Sequence, residues 1–199
     1  MRIVIDGTVG AGKTSLLIGT SQRDMEHKTF QSFKSLGYPV FSDLVINVIK
    51  EMRNNGISDP ADNWDLFFSL AVEHSIKYYN ESIPNTINFY DRGIFYLEIL
   101  ANRYNCLLPD EYYKFCSNNR YDDPVFIFEP ILSLDMSNPH ITDNKQKKYS
   151  LQERIEQHKQ IINLYKSNNY QVIEVPLKYD DPWESADYRL SMIKEVLGI

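Results

Sequence analysis

The run Gly7-Thr8-Val9-Gly10-Ala11-Gly12-Lys13-Thr14 constrains this chain more than any other feature. It fills every fixed position of a phosphate-binding loop, G-x-x-x-x-G-K-[ST]. Glycines let the backbone curl so that successive N–H groups converge on phosphate oxygens. Lys13 reaches toward the β- and γ-phosphates, and the Thr14 hydroxyl is a hard oxygen ligand suited to Mg2+. The flanks agree with the loop: residues 2–6 form a short β-branched run that reads as a buried strand, and residues 13–20 suit a helix. A helix starting there turns its positive end to the same place. The nucleotide-binding set is therefore Gly7, Thr8, Val9, Gly10, Ala11, Gly12, Lys13, Thr14 and Ser15.

Strand and helix signals alternate from there on. Helical stretches are expected at 24–36, closed by Gly37, and at 43–54, stopped by Asn55-Gly56. Another starts at Asp62 or Asn63, where Trp64, Phe67, Phe68, Ala71 and Val72 line one face. Residues 86–90 read as a strand ending at Asp91, and 93–104 as a helix. Pro109 opens the next helix, and 125–128 is a strand ending at Glu129-Pro130. Ser150-Leu151-Gln152-Glu153 is a capping box; the helix after it sets Leu151, Ile155, His158, Ile162 and Tyr165 on one side. Residues 171–175 form the last strand, and Asp181-Pro182 opens the last helix. The order predicts an α/β fold: a P-loop NTPase with a kinase-like, five-stranded parallel sheet sandwiched by helices. A single domain spans 1–199, and the polar stretch 131–149 is its lid.

A phosphate loop identifies a nucleotide, not a reaction. Guanine-reading N-K-x-D is absent: the one Asn-Lys pair, Asn144-Lys145, continues as Gln146-Lys147 in a polar loop. No transporter-type LSGGQ occurs, and neither ATP nor GTP is singled out. Asp91-Arg92-Gly93 is the second informative motif, because a strand delivers Asp91 to the sheet edge where open α/β folds bind ligands. A carboxylate there holds magnesium through water or takes a proton from an acceptor hydroxyl, and Arg92 stabilises the transferring phosphoryl group. The competing reading is a helix-capping Asp beside a surface Arg.

Together with the phosphate loop and Asp91-Arg92-Gly93, the segments Arg120-Tyr121-Asp122-Asp123-Pro124-Val125-Phe126 and Tyr165…Tyr170-Gln171-Val172-Ile173-Glu174-Val175-Pro176 make the sequence resemble small ATPases/kinases of the AAA-type P-loop group. Nicotinamide riboside kinase domains are among the relatives of that group. The resemblance implies a kinase-like sheet, Lys13, Thr14, Asp91 and Arg92 in the site, and a lid before the capped helix. It also implies a glutamate and a nearby arginine after the second strand, the brief strand candidate at 39–41; here Asp43 stands in for the glutamate, and no arginine follows. In the lid, where an arginine is expected, the chain has Lys145, Lys147 and Lys148. These either close over the nucleotide as point charges or form a solvated loop. Asp43 either meets the acceptor or only caps the next helix.

Net charge and cysteine usage bound the partners. A net charge of −6 argues against a chain that coats nucleic acid. Cys106 and Cys116 lack CxxC spacing, and no apolar run is long enough to span a membrane, so a reduced, cytoplasmic compartment is expected. The reading that results is an ATP-dependent, or GTP-dependent, phosphotransferase acting with Mg2+ on a small nucleoside-like acceptor. The alternatives are a nucleotide switch that signals to a protein or lipid partner and a polynucleotide 5′-hydroxyl kinase.

Overall fold

The β-branched run at the start forms β1 (Arg2–Gly7), in which Ile3, Val4 and Ile5 are wholly buried. In this computed structural model, which describes residues 1–19, 31–131, 149–178 and 182–199, β1 is the central strand of a five-stranded sheet. Its companions are β2 (Val40–Phe41), β3 (Asn88–Asp91), β4 (Val125–Phe128) and β5 (Val172–Val175), in the order β2-β3-β1-β4-β5. Every pairing is parallel. Ile5 stands opposite Asp91, and Gly7 opposite Phe128, so the strand ends that follow the apolar runs meet on one edge.

Parallel strands are buried on both faces, which is why these strands are continuous apolar runs. Alternate residues serve two separate cores. On one face Val4, Tyr90, Val125 and Ile127 pack with α2 (Leu44–Asn54), α3 (Trp64–Asn80), α4 (Tyr96–Tyr104), α5 (Asp110–Asn118) and α6 (Leu151–Ser167). On the other face Ile3, Ile5, Phe89, Phe126 and Phe128 pack with α1 (Lys13–Ile18) and α7 (Pro182–Leu197). Among the described residues no helix is long and apolar enough to cross a membrane.

Caps set the helix starts. The Asp43 carboxylate accepts from Val45 N, the Asn63 side chain accepts from Leu66 N, and Ser150 with Glu153 forms the full capping box. Three expectations change. Residues 33–37 are a hydrogen-bonded turn, not the end of a helix: Phe33 N and Lys34 N donate to Leu16 O and Leu17 O, so tertiary partners replace the helical ladder. Pro109 is the cap of α5, with Asp110 its first residue. The inner face of α6 is Arg154, Gln157, Ile161, Ile162 and Tyr165, whereas Leu151 is exposed. Two polar positions therefore face inward on α6, which an apolar pattern cannot find. The cap at Asp181 and most of the stretch 24–36 lie outside the described residues.

Candidate active site

The phosphate loop springs from the end of β1, and Gly7 is fixed there by contact. A Cβ on Gly7 would lie 2.8 Å from the Phe128 carbonyl oxygen, and its φ is +142°. The Gly7 N–H donates to Asp6 Oδ1 at 2.7 Å. Lys13, 4% exposed, donates from Nζ to the carbonyls of Thr8 (2.9 Å) and Gly7 (3.1 Å). Thr14 Oγ1 donates to Asp91 Oδ2 at 2.6 Å, which joins the loop to the end of β3. Gly10, Ala11 and Gly12 complete the curl, with Ala11 N donating to Thr8 O; Val9 and Ser15 are its remaining members.

Past Asp91 the chain turns sharply. Arg92 holds a left-handed φ of 77°, a conformation that costs a non-glycine residue about 1 kcal/mol or more. Its buried guanidinium donates from Nε to Asp43 Oδ2 (2.9 Å) and from Nη1 to Gly7 O (2.9 Å). It also stands 3.7 Å from Asp6 Oδ1 and lies over the Tyr96 ring at 3.8 Å. The cation beside Asp43 is therefore Arg92, the residue that follows β3. Asp43 does two things at once, capping α2 through Oδ1 and accepting from Arg92 through Oδ2.

Three buried carboxylates, Asp6, Asp43 and Asp91, share this site with two buried cations, Lys13 and Arg92. Burial, and next the Asp43 charge, push the Asp91 carboxyl up to about 6. Burial, and next Arg92, pull the Lys13 ammonium down to about 8. Burial also raises Asp6, against the pull of Arg92 and Lys13. Asp91 Oδ1 is buried without a hydrogen-bond partner among the described residues. A carboxylate oxygen left over beside a threonine hydroxyl is a pair of hard oxygen donors, and that set fits a divalent cation such as magnesium.

The sequence model of the AAA domain matches residues 2–184. The chain belongs to this family. No curated protein matches the sequence significantly. Among solved structures, the NadR protein in complex with NR superposes with a TM-score of 0.62 at 16% identity, over 100% of this chain and 52% of that one. This AAA-domain chain thus spans about half the NadR chain. Deoxyadenosine kinase from M. mycoides with bound dATP gives a TM-score of 0.54 at 15% identity, over 100% of both chains. Thymidylate kinase from Ehrlichia chaffeensis gives 0.58 at 15% identity, over 99% and 98%. The fold is that of a P-loop kinase.

The AAA-domain site therefore gathers Lys13, Thr14, Asp43, Asp91 and Arg92, residues scattered over 80 positions of sequence, at one sheet edge. Lys145, Lys147 and Lys148 lie outside the described residues, as do 132–148 of the expected lid. Both flanks of that stretch are tied to neighbouring helices. Arg154 Nη1 donates to Ile131 O at 2.8 Å, and the Arg103 guanidinium lies 3.9 Å over the Tyr149 ring.

Sequence reasoning missed three contributors. Asp6 looked like the last residue of a strand, yet it anchors the loop's first N–H. Tyr165 reads as core, yet its hydroxyl donates to Asp6 Oδ2 at 3.0 Å. Arg189 on α7 donates to the Ala11 carbonyl at 2.7 Å. The Asp6-Gly7 dipeptide was the visible signal for the first; the other two join the site only through folding.

Proposed function

We propose that this protein transfers the γ-phosphoryl group of ATP or GTP to a hydroxyl of a small nucleoside-like metabolite. The observation that carries the reading is the 2.6 Å contact from Thr14 Oγ1 to Asp91 Oδ2, which puts the loop hydroxyl on a strand-end carboxylate beside a second carboxylate, Asp43. Thr14 and Asp91 would hold magnesium. When bound, the ion neutralises charge on the β- and γ-phosphates. Lys13 leaves the carbonyls of Gly7 and Thr8 and donates to the phosphates.

The acceptor hydroxyl lies on the β3 side, oriented by Asp43, whose carboxylate Arg92 fixes. The acceptor oxygen bonds to the γ-phosphorus, and the bond from that phosphorus to the β,γ-bridging oxygen breaks. The electron pair stays on the nucleoside diphosphate, and the hydroxyl proton passes to a site carboxylate, Asp43 or Asp91. Arg92 supports the carboxylates and the Gly7 carbonyl from beneath, and with Lys13 balances the charge that develops. Kinases of nucleosides and nucleotides share this fold, which favours a small acceptor over a polynucleotide.

The test is transfer from γ-labelled ATP and GTP, with magnesium, into nucleosides, nicotinamide riboside and 5′-hydroxyl oligonucleotides. A labelled small-molecule product that disappears in Asp91→Asn is expected. Labelled phosphate alone, with no labelled acceptor, would move the reading to a nucleotide switch. A labelled oligonucleotide would move it to polynucleotide kinase chemistry.

A further inference from the structure

Arg189 stands on α7, beyond residue 184, where the match to the AAA-domain model ends. Its side chain is 2% exposed, and all three of its nitrogens donate to main-chain carbonyls. Nη1 donates to Ala11 O at 2.7 Å, and Nε to Pro176 O at 3.0 Å. Nη2 donates to Glu129 O at 3.0 Å and to Val175 O at 3.5 Å. The guanidinium lies 4.6 Å over the Phe128 ring. One planar fork thus ties the phosphate loop to the ends of β4 and β5. A lysine has a single nitrogen on a flexible stem and cannot span three separate strands of main chain.

The Ala11 contact has a geometric consequence. In a trans peptide the C=O and the following N–H point in opposite directions. Drawing the Ala11 carbonyl onto Arg189 therefore turns the Gly12 N–H away from Arg189. No hydrogen bond among the described residues uses that N–H, although both neighbouring loop carbonyls, Gly7 O and Thr8 O, are taken by Lys13.

We propose that Arg189 is a positioning residue of the phosphate loop: by holding the Ala11 carbonyl, it aims the Gly12 N–H at the phosphates of the bound nucleotide. The inference rests on the reading of this loop as the nucleotide site. It assigns α7 a part in phosphate affinity as well as in packing the sheet.

The experiment uses the full chain labelled with 15N-glycine, with Arg189→Lys, Arg189→Ala and Lys13→Ala as variants. Binding of MgATP, MgGTP and magnesium tripolyphosphate, which has no base, is measured by calorimetry. The Gly12 amide is followed by NMR. In the wild type, the Gly12 amide resonance moves on adding nucleotide. Arg189→Lys weakens both nucleotide and tripolyphosphate by about tenfold or more, the scale of one misdirected charge-assisted contact. Added guanidinium ion restores part of the affinity of Arg189→Ala, which general loss of packing would not allow.

Arg189→Lys that binds within roughly twofold of wild type, while Lys13→Ala fails to bind, overturns the inference and leaves the nucleotide site standing. The same holds for a variant that melts earlier yet binds unchanged. Wild-type binding by both Arg189→Lys and Lys13→Ala overturns the nucleotide reading itself. Should neither Arg189 variant fold, a Gly12 amide in the wild type that ignores nucleotide overturns the proposal.

Discussion

Replacing Gly93 with alanine tests whether this position is small to make room for the buried hydroxyl of Tyr165, which bonds Asp6 at the foot of the phosphate loop. Gly93 is not in the left-handed region, so alanine suits its backbone; the requirement is space. A Cβ there would stand 2.5 Å from the Tyr165 hydroxyl and 3.4 Å from Tyr121 and Val4. Tyr165 has nowhere to retreat. It is 1% exposed, its ring packs edge-on against Phe95 and Tyr170 with centroids 5.5 Å away in each case, and its hydroxyl donates to Asp6. Tyr165→Phe removes a hydrogen bond to a buried carboxylate, which costs about 2 kcal/mol. Gly93→Ala must displace the hydroxyl, so it loses the same bond and adds overpacking, about 4 kcal/mol together. In the double variant the clashing oxygen is gone, and the cost returns to about 2–3 kcal/mol. The sum of the single changes is about 6 kcal/mol, so the cycle carries a favourable coupling of about 3–4 kcal/mol. Urea unfolding of the four proteins, fitted as two-state transitions with equal m-values, reads it out. Additivity within about 0.5 kcal/mol would refute the reasoning, because it would mean that Gly93 is small for reasons unrelated to Tyr165.

Three further outcomes follow from the charges of the site. Asp91 is raised from its ordinary 3.8 to about 6, so the native state keeps a proton that the unfolded chain has lost. On this group's account, stability of the ligand-free protein is full below 3.8 and is lost as the pH rises through about 6. Affinity for magnesium nucleotide runs the other way, climbing through about 6 and then levelling, and a profile unchanged in Asp91→Asn contradicts the assignment. Lys13, held down at about 8, regains its proton when phosphates replace the Gly7 and Thr8 carbonyls, so binding at that pH takes up about half a proton per nucleotide. Calorimetry in buffers of different ionisation enthalpy measures this uptake, and a buffer-independent enthalpy at that pH excludes it.

How much of this was legible in the sequence depended on the range of the forces involved. The phosphate loop and the strand before it are local, so residues 2–14 point to a nucleotide site and identify the α/β class together. The capping box at Ser150 and the cap at Asn63 are local as well, and both formed as read. The turn at 33–37 was misread because its first two N–H groups bond to Leu16 and Leu17, partners that no window around them contains. The inner face of α6 was misread for a related reason. Apolar spacing finds a helix side that meets a core, but Arg154 and Gln157 turn toward polar structure: Arg154 bonds the Ile131 carbonyl, and Gln157 Nε2 lies 3.4 Å from the Tyr96 hydroxyl. Asp43 was left open between acceptor contact and helix cap because sequence offers one role per residue, whereas its two oxygens hold separate partners.

The parts that no motif announced share one physical origin. A loop that curls its N–H groups toward a phosphate site leaves its carbonyls facing the protein, and each needs a donor. Arg92 and Lys13 meet Gly7 O, Lys13 meets Thr8 O, and Arg189 meets Ala11 O, so three cations come to stand around the outside of a phosphate-binding loop. Cations so deeply buried require carboxylates, and Asp6 and Asp43 supply them on the β3 side. Burial displaces Asp91 and Lys13 toward neutrality, as it does Asp6 and Arg189, but Asp91 and Lys13 are the pair that the proposed function places against ligand. On that proposal, phosphates would complete the contacts of Lys13 and a cation those of Asp91. The electrostatic cost carried by the folded protein is therefore predicted, on the same proposal, to be offset most when the two bind together.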